Sequence, residues 1–366
     1  MINGEQYVPV LKGKLGEYKA LQALPDSIKE NIKPIIDIVP IPPDFETEEP
    51  SKSIDDHLKS FSNNILKYWG TQREVYIDGY MIVEETRMEN NIHPMIHIFN
   101  ELESKNINAI PVCGNDRNLE YNTAIKQIIR TQNKGFCLRI ISDVSTNIEE
   151  EITTLLNFFG TSENEVDLLI DLRSIINIPT NDLIENTVRI LERIPNLLRW
   201  RSFIVSATSF PISLANIQKD RIEVLNRGEW LLWQRVVNNF NLIRYPSFSD
   251  YAISHPEVVD IDPRMMSISA SIRYTAGDHW YIYRGRSVNQ YGYEQFFDLS
   301  ETIINRPEYS GRDHCFGDDF IYRCGANREK TGNHTTWRQV GTCHHITVVV
   351  NQLLQFWRDF NAERTS

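Results

Sequence analysis

Short apolar runs rich in valine and isoleucine return along the first 255 residues, and stretches with helical spacing separate them. This alternation constrains the fold more than any other feature of the chain. The runs are Tyr7–Leu11, Lys33–Val39, Val75–Ile77, Ala109–Val112, Phe136–Ile141, Asp167–Leu172, Ser202–Ser206 and, less regularly, Phe248–Ser254. Between them Ile54, Leu58, Phe61, Ile65 and Tyr68 climb in steps of three and four. Ile148, Ile152, Leu155 and Phe159 do the same, as do Leu183, Thr187, Leu191 and Ile194. Each ladder places an apolar stripe on one helix face, ready to cover a sheet. Strand and helix in strict succession imply right-handed crossovers and a parallel sheet. Seven or eight such units suit a closed ring. An open dinucleotide-binding sheet would carry Gly-x-Gly-x-x-Gly after its first strand, where this chain has Lys12-Gly13-Lys14-Leu15-Gly16.

The expected fold is therefore α/β: a (β/α)8 TIM-like barrel with an α+β insertion before the last helix. Residues 1–255 plus 345–366 would form the barrel. Residues 256–344 would be a hairpin and loop-rich cap over the carboxyl-terminal face. Ser269–Thr275 and Trp280–Arg284 alternate around Ala276-Gly277-Asp278-His279, a hairpin pattern. Ile346, Val349, Val350, Leu353, Leu354, Trp357 and Phe360 mark the closing amphipathic helix, and Trp230 and Trp233 fit a helix face in the core.

A length of 366 residues accommodates one barrel with insertions. The net charge of −11 argues against extended nucleic acid or an anionic membrane as partner, because phosphate attraction needs a basic surface. Met1–Leu11 lacks the charged-then-apolar order of a signal peptide, and no apolar run approaches the ~18 residues of a membrane helix. Five widely spaced cysteines suit reduced thiols, so the expected location is cytoplasmic. Nothing in the chain speaks to oligomeric state.

Charged residues recur within or just after the apolar runs: Lys12, Asp37, Asp78, Arg139, Asp171 and Arg173. An ionisable group ending a buried strand needs a partner, a ligand or water. In a barrel these positions converge at the mouth. Asp37, Asp78 and Asp171 are candidates to hold a divalent cation or act as catalytic carboxylates. Lys12, Arg139 and Arg173 could grip a phosphate or carboxylate. Ser206 and Ser209, in the hydroxyl-rich end of the seventh run, fall where barrels often seat a phosphate. A ring of ion pairs that merely closes the mouth accounts for the same pattern.

A second group lies late in the chain: His314-Cys315-Phe316-Gly317-Asp318-Asp319, Cys324, His334, Trp337 and Cys343-His344-His345. Zinc is disfavoured, because structural sites bring ligands in closely spaced pairs and these cysteines stand singly. His344 and His345, just ahead of the expected last helix, are candidates for a general acid or an anion contact, or simply cap that helix. Trp337 joins the ligand-contact candidates. The mixture of Tyr274, His279, Trp280, Tyr281, Tyr283, Tyr291 and Tyr293 with Arg273, Arg284 and Arg286 suits a packed hairpin, and could otherwise stack bases or make a protein interface.

Four segments carry a resemblance. Tyr7-Val8-Pro9-Val10-Leu11-Lys12-Gly13-Lys14-Leu15-Gly16-Glu17-Tyr18, Lys33-Pro34-Ile35-Ile36-Asp37-Ile38, Ser209-Phe210-Pro211 and Trp337-Arg338-Gln339-Val340-Gly341 with His344-His345-Ile346 resemble the phage-named beta protein family. The resemblance implies a setting in phage–host conflict and antiviral defence, and it supplies no catalytic residues. The expected function is a barrel-mouth enzyme, a metal-assisted or acid–base hydrolase or lyase acting on a phosphate-bearing small molecule or nucleotide. The alternatives are a non-catalytic ligand sensor or protein-binding adaptor, and a structural phage protein.

Overall fold

A computed structural model describes residues 6–142, 147–240, 242–258 and 268–365. Its strands are β1 (Val8–Lys12), β2 (Ile35–Asp37), β3 (Val75–Asp78), β4 (Ala109–Gly114), β5 (Phe136–Ile141), β6 (Val166–Ser174), β7 (Ser202–Thr208), β8 (Arg221–Asn226), β9 (Ser247–Asp250), β10 (Ser269–Ala276) and β11 (His279–Ser287). By contact density the chain forms two compact units. The first comprises Met1–Gly13, Ile32–Thr208 and Gly228–Tyr251; the second comprises Lys14–Asn31, Ser209–Arg227 and Ala252–Ser366.

The first unit is the expected (β/α)8-type barrel. Strands β1 to β7 and then β9 close in parallel, with β9 bonded to both β7 and β1. Strand side chains alternate between faces, so every second residue points to the barrel axis. Val8, Val10, Ile35, Tyr76, Ile110, Val112, Cys137, Leu169, Ile204 and Tyr251 form the packed interior. Fully burying each of the larger aliphatic chains stabilises by about 1.5–3 kcal/mol. Register continues the interior rows into charge: Lys12 lies opposite Asp37, and Asp37 opposite Asp78.

The connecting helices have local causes. Asn118 accepts from the Tyr121 amide to start Leu119–Gln132, which stops at Asn133 in the left-handed region. The stretch from Ile54 to Tyr68, a single ladder in sequence, is two helices, Ile54–Leu58 and Phe61–Tyr68. Trp230 and Trp233 stack at 5.5 Å, and both meet Phe248 edge-on.

The second unit holds an antiparallel sheet in the order β10-β11-β8. The expected hairpin is present, with Gly277 at φ +53 in its tight turn. Strand β8 lies in the expected barrel region but pairs with β11. It carries Arg221, Glu223 and Asn226 and is largely exposed, so its apolar signal is too weak to read. The last helix starts earlier than expected: His334–Thr365 is one 32-residue helix, and the expected boundary at 344/345 falls inside it. Trp337 and Val340 take the inward positions of its early turns, packing with Tyr274, Phe296 and Ile321 in the core of this unit. No helix among the described residues is long and apolar enough to cross a membrane.

Gly114 pairs with Arg139 across β4 and β5 at the barrel mouth, and a Cβ there would stand 2.4 Å from the Arg139 carbonyl. Gly114→Ala should therefore lower stability by about 1–3 kcal/mol in chemical unfolding. Gly160→Ala, where nothing lies within 4 Å of the added carbon, provides the comparison for backbone strain alone.

Candidate functional site

Five of the expected site residues meet at the carboxyl ends of the barrel strands, and Arg139 is the hub. Its Nε and one terminal nitrogen donate to Asp171 Oδ2 at 2.9 and 2.7 Å. The other terminal nitrogen reaches Asp78 at 2.9 Å and Asp37 at 3.2 Å. Tyr251, just beyond β9, accepts from Arg139 at 2.6 Å and donates to Asp171. Lys12 adds an ion pair to Asp37 at 3.6 Å. Arg117 grips both oxygens of Asp78 at 2.8 and 3.1 Å. The three aspartates are fully buried and Arg139 is 1% exposed, so this layer plugs the barrel.

Electrostatics follow from that packing. Burial opposes the charge on Arg139, but Tyr251 and the three carboxylates outweigh it and hold its pKa above the usual value. Burial pushes the Asp37 carboxyl up, and Arg139 and Lys12 only partly counter this, consistent with its two long contacts. Burial likewise keeps the Tyr80 and Tyr251 phenols protonated. Arg139 thus fills the position among Asp37, Asp78 and Asp171 that a divalent cation would need.

Outside the plug the cations are less fully matched. A register shift in β6 between Asp171 and Ser174 turns the chain outward, and Arg173 takes φ +53 there while its amide donates to Asp171 at 2.8 Å. Its guanidinium lies 5.6 Å from the centre of the Tyr80 ring. Arg117 and Arg139 each lie 5.1 Å from the same ring. Arg173 has no carboxylate partner among the described residues, and Arg117 Nε is buried without an acceptor. Tyr80, Arg117, Asn118, Tyr121 and His93 line a small cleft open to solvent. His93 is neutral at physiological pH, its pKa lowered to about 4 by burial and by Arg87.

Ser206 also belongs to the interior. Ile204 and Tyr251 face the axis, so alternation turns Ser206 and Ser249 inward with them. Both hydroxyls are buried, with no hydrogen-bond partner among the described residues.

The other expected residues fall in the second unit. Ser209 donates to the Asn226 carbonyl at 3.0 Å. Trp337 stacks on Phe296 at 4.6 Å and donates to the Thr331 carbonyl. His344 and His345 do not cap a helix; they lie inside one and are fully buried. His344 bonds Asp318 through Nδ1 at 2.8 Å and the Thr275 carbonyl through Nε2 at 2.7 Å. Neither partner can donate, so both nitrogens carry protons. Burial works against that charge, but Asp318 pushes the pKa up to about 10. His345 meets the Thr275 hydroxyl at 2.8 Å. These are the contacts of structural groups, not of a general acid open to substrate.

Sequence reasoning missed Tyr80, Arg117 and Tyr251. The first two stand two and three residues past the ends of β3 and β4, in loops without periodicity. It also missed a second buried charge cluster at the opposite ends of the strands. There Asp167 meets Arg201 at 2.8 Å, Lys33 at 3.4 Å, Tyr76 at 2.7 Å and Ser202 at 2.6 Å. Burial would raise the Asp167 carboxyl, but Arg201, Lys33 and Ser202 hold it well below the usual range. The visible signal was Lys33 and Asp167 at the starts of their apolar runs.

Comparison with known proteins adds a family. The beta protein family model matches residues 7–351. No curated protein matches the chain in sequence. Among solved structures, a triosephosphate isomerase from Bartonella henselae overlaps with a TM-score of 0.35 at 10% identity, over 67% of this chain and 92% of that one. So loose an overlap carries no weight; the barrel assignment rests on the observed strand order.

Two outcomes follow for the charge clusters. Asp171→Asn, which strips Arg139 of its closest partner, should cost about 3–5 kcal/mol, and Asp37→Asn should cost least of the three mouth aspartates in denaturant titration. Asp167 has a folded pKa below its unfolded one. Its stabilisation is therefore present above about pH 4 and fades as pH falls toward the folded value. The stability gap between wild type and Asp167→Asn should narrow as unfolding is measured from neutral pH down to about pH 3.

Proposed function

This chain is a member of the beta protein family, and on that premise we propose that its barrel mouth binds a small phosphate- or carboxylate-bearing molecule as a ligand sensor, not as a metal-assisted hydrolase. One observation carries the reading. Arg139 sits among all three aspartates, with Lys12 on Asp37 and Arg117 on Asp78, while Arg173, without a carboxylate partner among the described residues, lies beside the Tyr80 ring. A guanidinium without a carboxylate is a ready partner for two anionic oxygens. The Tyr80 ring lies beside it, and Tyr80 and Arg117 both border a small cleft open to solvent.

The hydrolase expected from the sequence needs carboxylates open to a cation. Here a cation would have to displace Arg139 from three buried partners, leaving its charge unpaired at a cost of several kcal/mol. Nor do His344 and His345, both occupied inside the second unit, support a proton-donating role at the mouth.

The test is a thermal-shift and calorimetric titration with inorganic phosphate and a panel of nucleotides, each with and without magnesium. Binding at a hundred times Kd stabilises by about 2.7 kcal/mol, a readily measured rise in melting temperature. The expected result is a phosphate or nucleotide shift that ignores magnesium and weakens at least about tenfold in Arg173→Ala, through loss of a charge-assisted pair. Magnesium-dependent release of phosphate from any nucleotide, abolished in Asp171→Asn, would restore the hydrolase. An equal shift in wild type and Arg173→Ala removes Arg173 from the site.

A further inference from the structure

The second unit gathers four potential ligands that the sequence scatters. His314, Asp318 and His344 each present one donor atom, and all three atoms lie within 4.8 Å of one another. Cys315 Sγ stands 3.0 Å from Asp318 Oδ2. Local structure explains the grouping. Cys315 caps the helix Phe316–Asn327, Asp318 follows in its first turn, and His314 precedes the cap. Gly317 lets that helix approach the long one, since a Cβ there would stand 2.5 Å from the Val340 carbonyl and 3.3 Å from His344 Cβ.

We propose that His314, Cys315, Asp318 and His344 form a structural zinc site.

Several independent observations converge on this. His314 Nε2 is buried with no hydrogen-bond partner among the described residues, an expensive state for a ring nitrogen that a metal bond would relieve. His344 Nε2 donates to the Thr275 carbonyl, which leaves Nδ1 as the atom turned toward the cluster. Tyr274 donates to Asp318 Oδ1 at 2.8 Å, which leaves Oδ2 on the cluster side. Metal-binding histidines and carboxylates are commonly held by such outer hydrogen bonds, which fix tautomer and direction.

Charge and size also agree. Zinc with one thiolate and one carboxylate is neutral, the condition under which a buried ion is tolerated. Zinc bonds of about 2.0–2.3 Å place neighbouring ligand atoms roughly 3.3–3.6 Å apart. For His314, Asp318 and His344 the 2.8 Å pair and the 4.8 Å outer limit bracket that spacing, and Cys315 joins through Asp318 Oδ2 at 3.0 Å. His314 and Cys315, the two partly exposed members, supply the way in. On binding, the ion takes the place of the proton on His344 Nδ1 and of the proton on Cys315 Sγ, and both protons leave to solvent.

The full-length chain, purified without chelator, should carry about one zinc per chain by elemental analysis, completing a four-ligand site. A strong chelator should lower its melting temperature, and added zinc should restore it. Cobalt substitution should give tetrahedral visible bands with a thiolate charge-transfer band that Cys315→Ser removes. His314→Ala is the decisive variant, because His314 Nε2 makes no hydrogen bond whose loss could unfold the protein. It should fold yet bind zinc at least about tenfold more weakly. Asp318→Asn also breaks the buried pair with His344, so it serves only to confirm. A metal-free wild type whose melting temperature ignores zinc overturns the proposal, as does His314→Ala that binds zinc as tightly as wild type. Absence of the thiolate band removes Cys315 from the ligand set.

Discussion

Arg139 stands where carboxylates from three other strands would otherwise repel one another inside a dry ring. Asp37, Asp78 and Asp171 are brought together by strand register, a consequence of closure that none of them can avoid. A single planar cation with several donors in fixed directions reconciles them, and a lysine could not make the same set of contacts. The chemistry open to the mouth follows from this arrangement. The carboxylates are committed to Arg139, Lys12 and Arg117, and Arg173 is the partly exposed cation beside Tyr80.

Much of the barrel was legible because fully buried parallel strands leave an unmistakable trace. Val8, Val10, Ile35, Ile110 and Leu169 come from separate apolar runs and meet in one interior. The charges that punctuate those runs were equally visible, since Lys12, Asp37, Asp78, Arg139 and Asp171 interrupt otherwise apolar text. Their mutual satisfaction was not visible, because pairing depends on angles across strands, with Asp37 and Arg139 102 residues apart. Tyr80 and Arg117 escaped notice because loop residues carry no periodicity. Strand β8 escaped because an exposed edge strand reads like any polar segment.

The late cysteine- and histidine-bearing stretch was misread for a related reason. His344 and His345 sit among Thr342, Cys343 and Thr347, small or polar residues that mask the helical spacing running from Trp337 through Val340 to Val350. Burial of polar side chains along that helix is sustained by specific partners, Asp318 and Thr275 above all. The same satisfaction that makes the pair stable also draws His314 and Cys315 into its neighbourhood, which spacing along the chain could not reveal.

Strand β9 is only four residues long, yet it is the segment that joins β7 back to β1. Val8 waits for Ser249, and Tyr7 for Asp250, across more than two hundred residues. On the ribosome, every nascent chain shorter than that seam displays two bare strand edges, the geometry most prone to sticking to a neighbour. The keystone emerges late, so the barrel spends most of its synthesis as an open ribbon. A nonsense change between β7 and β9 would leave a product without the strand that covers those edges.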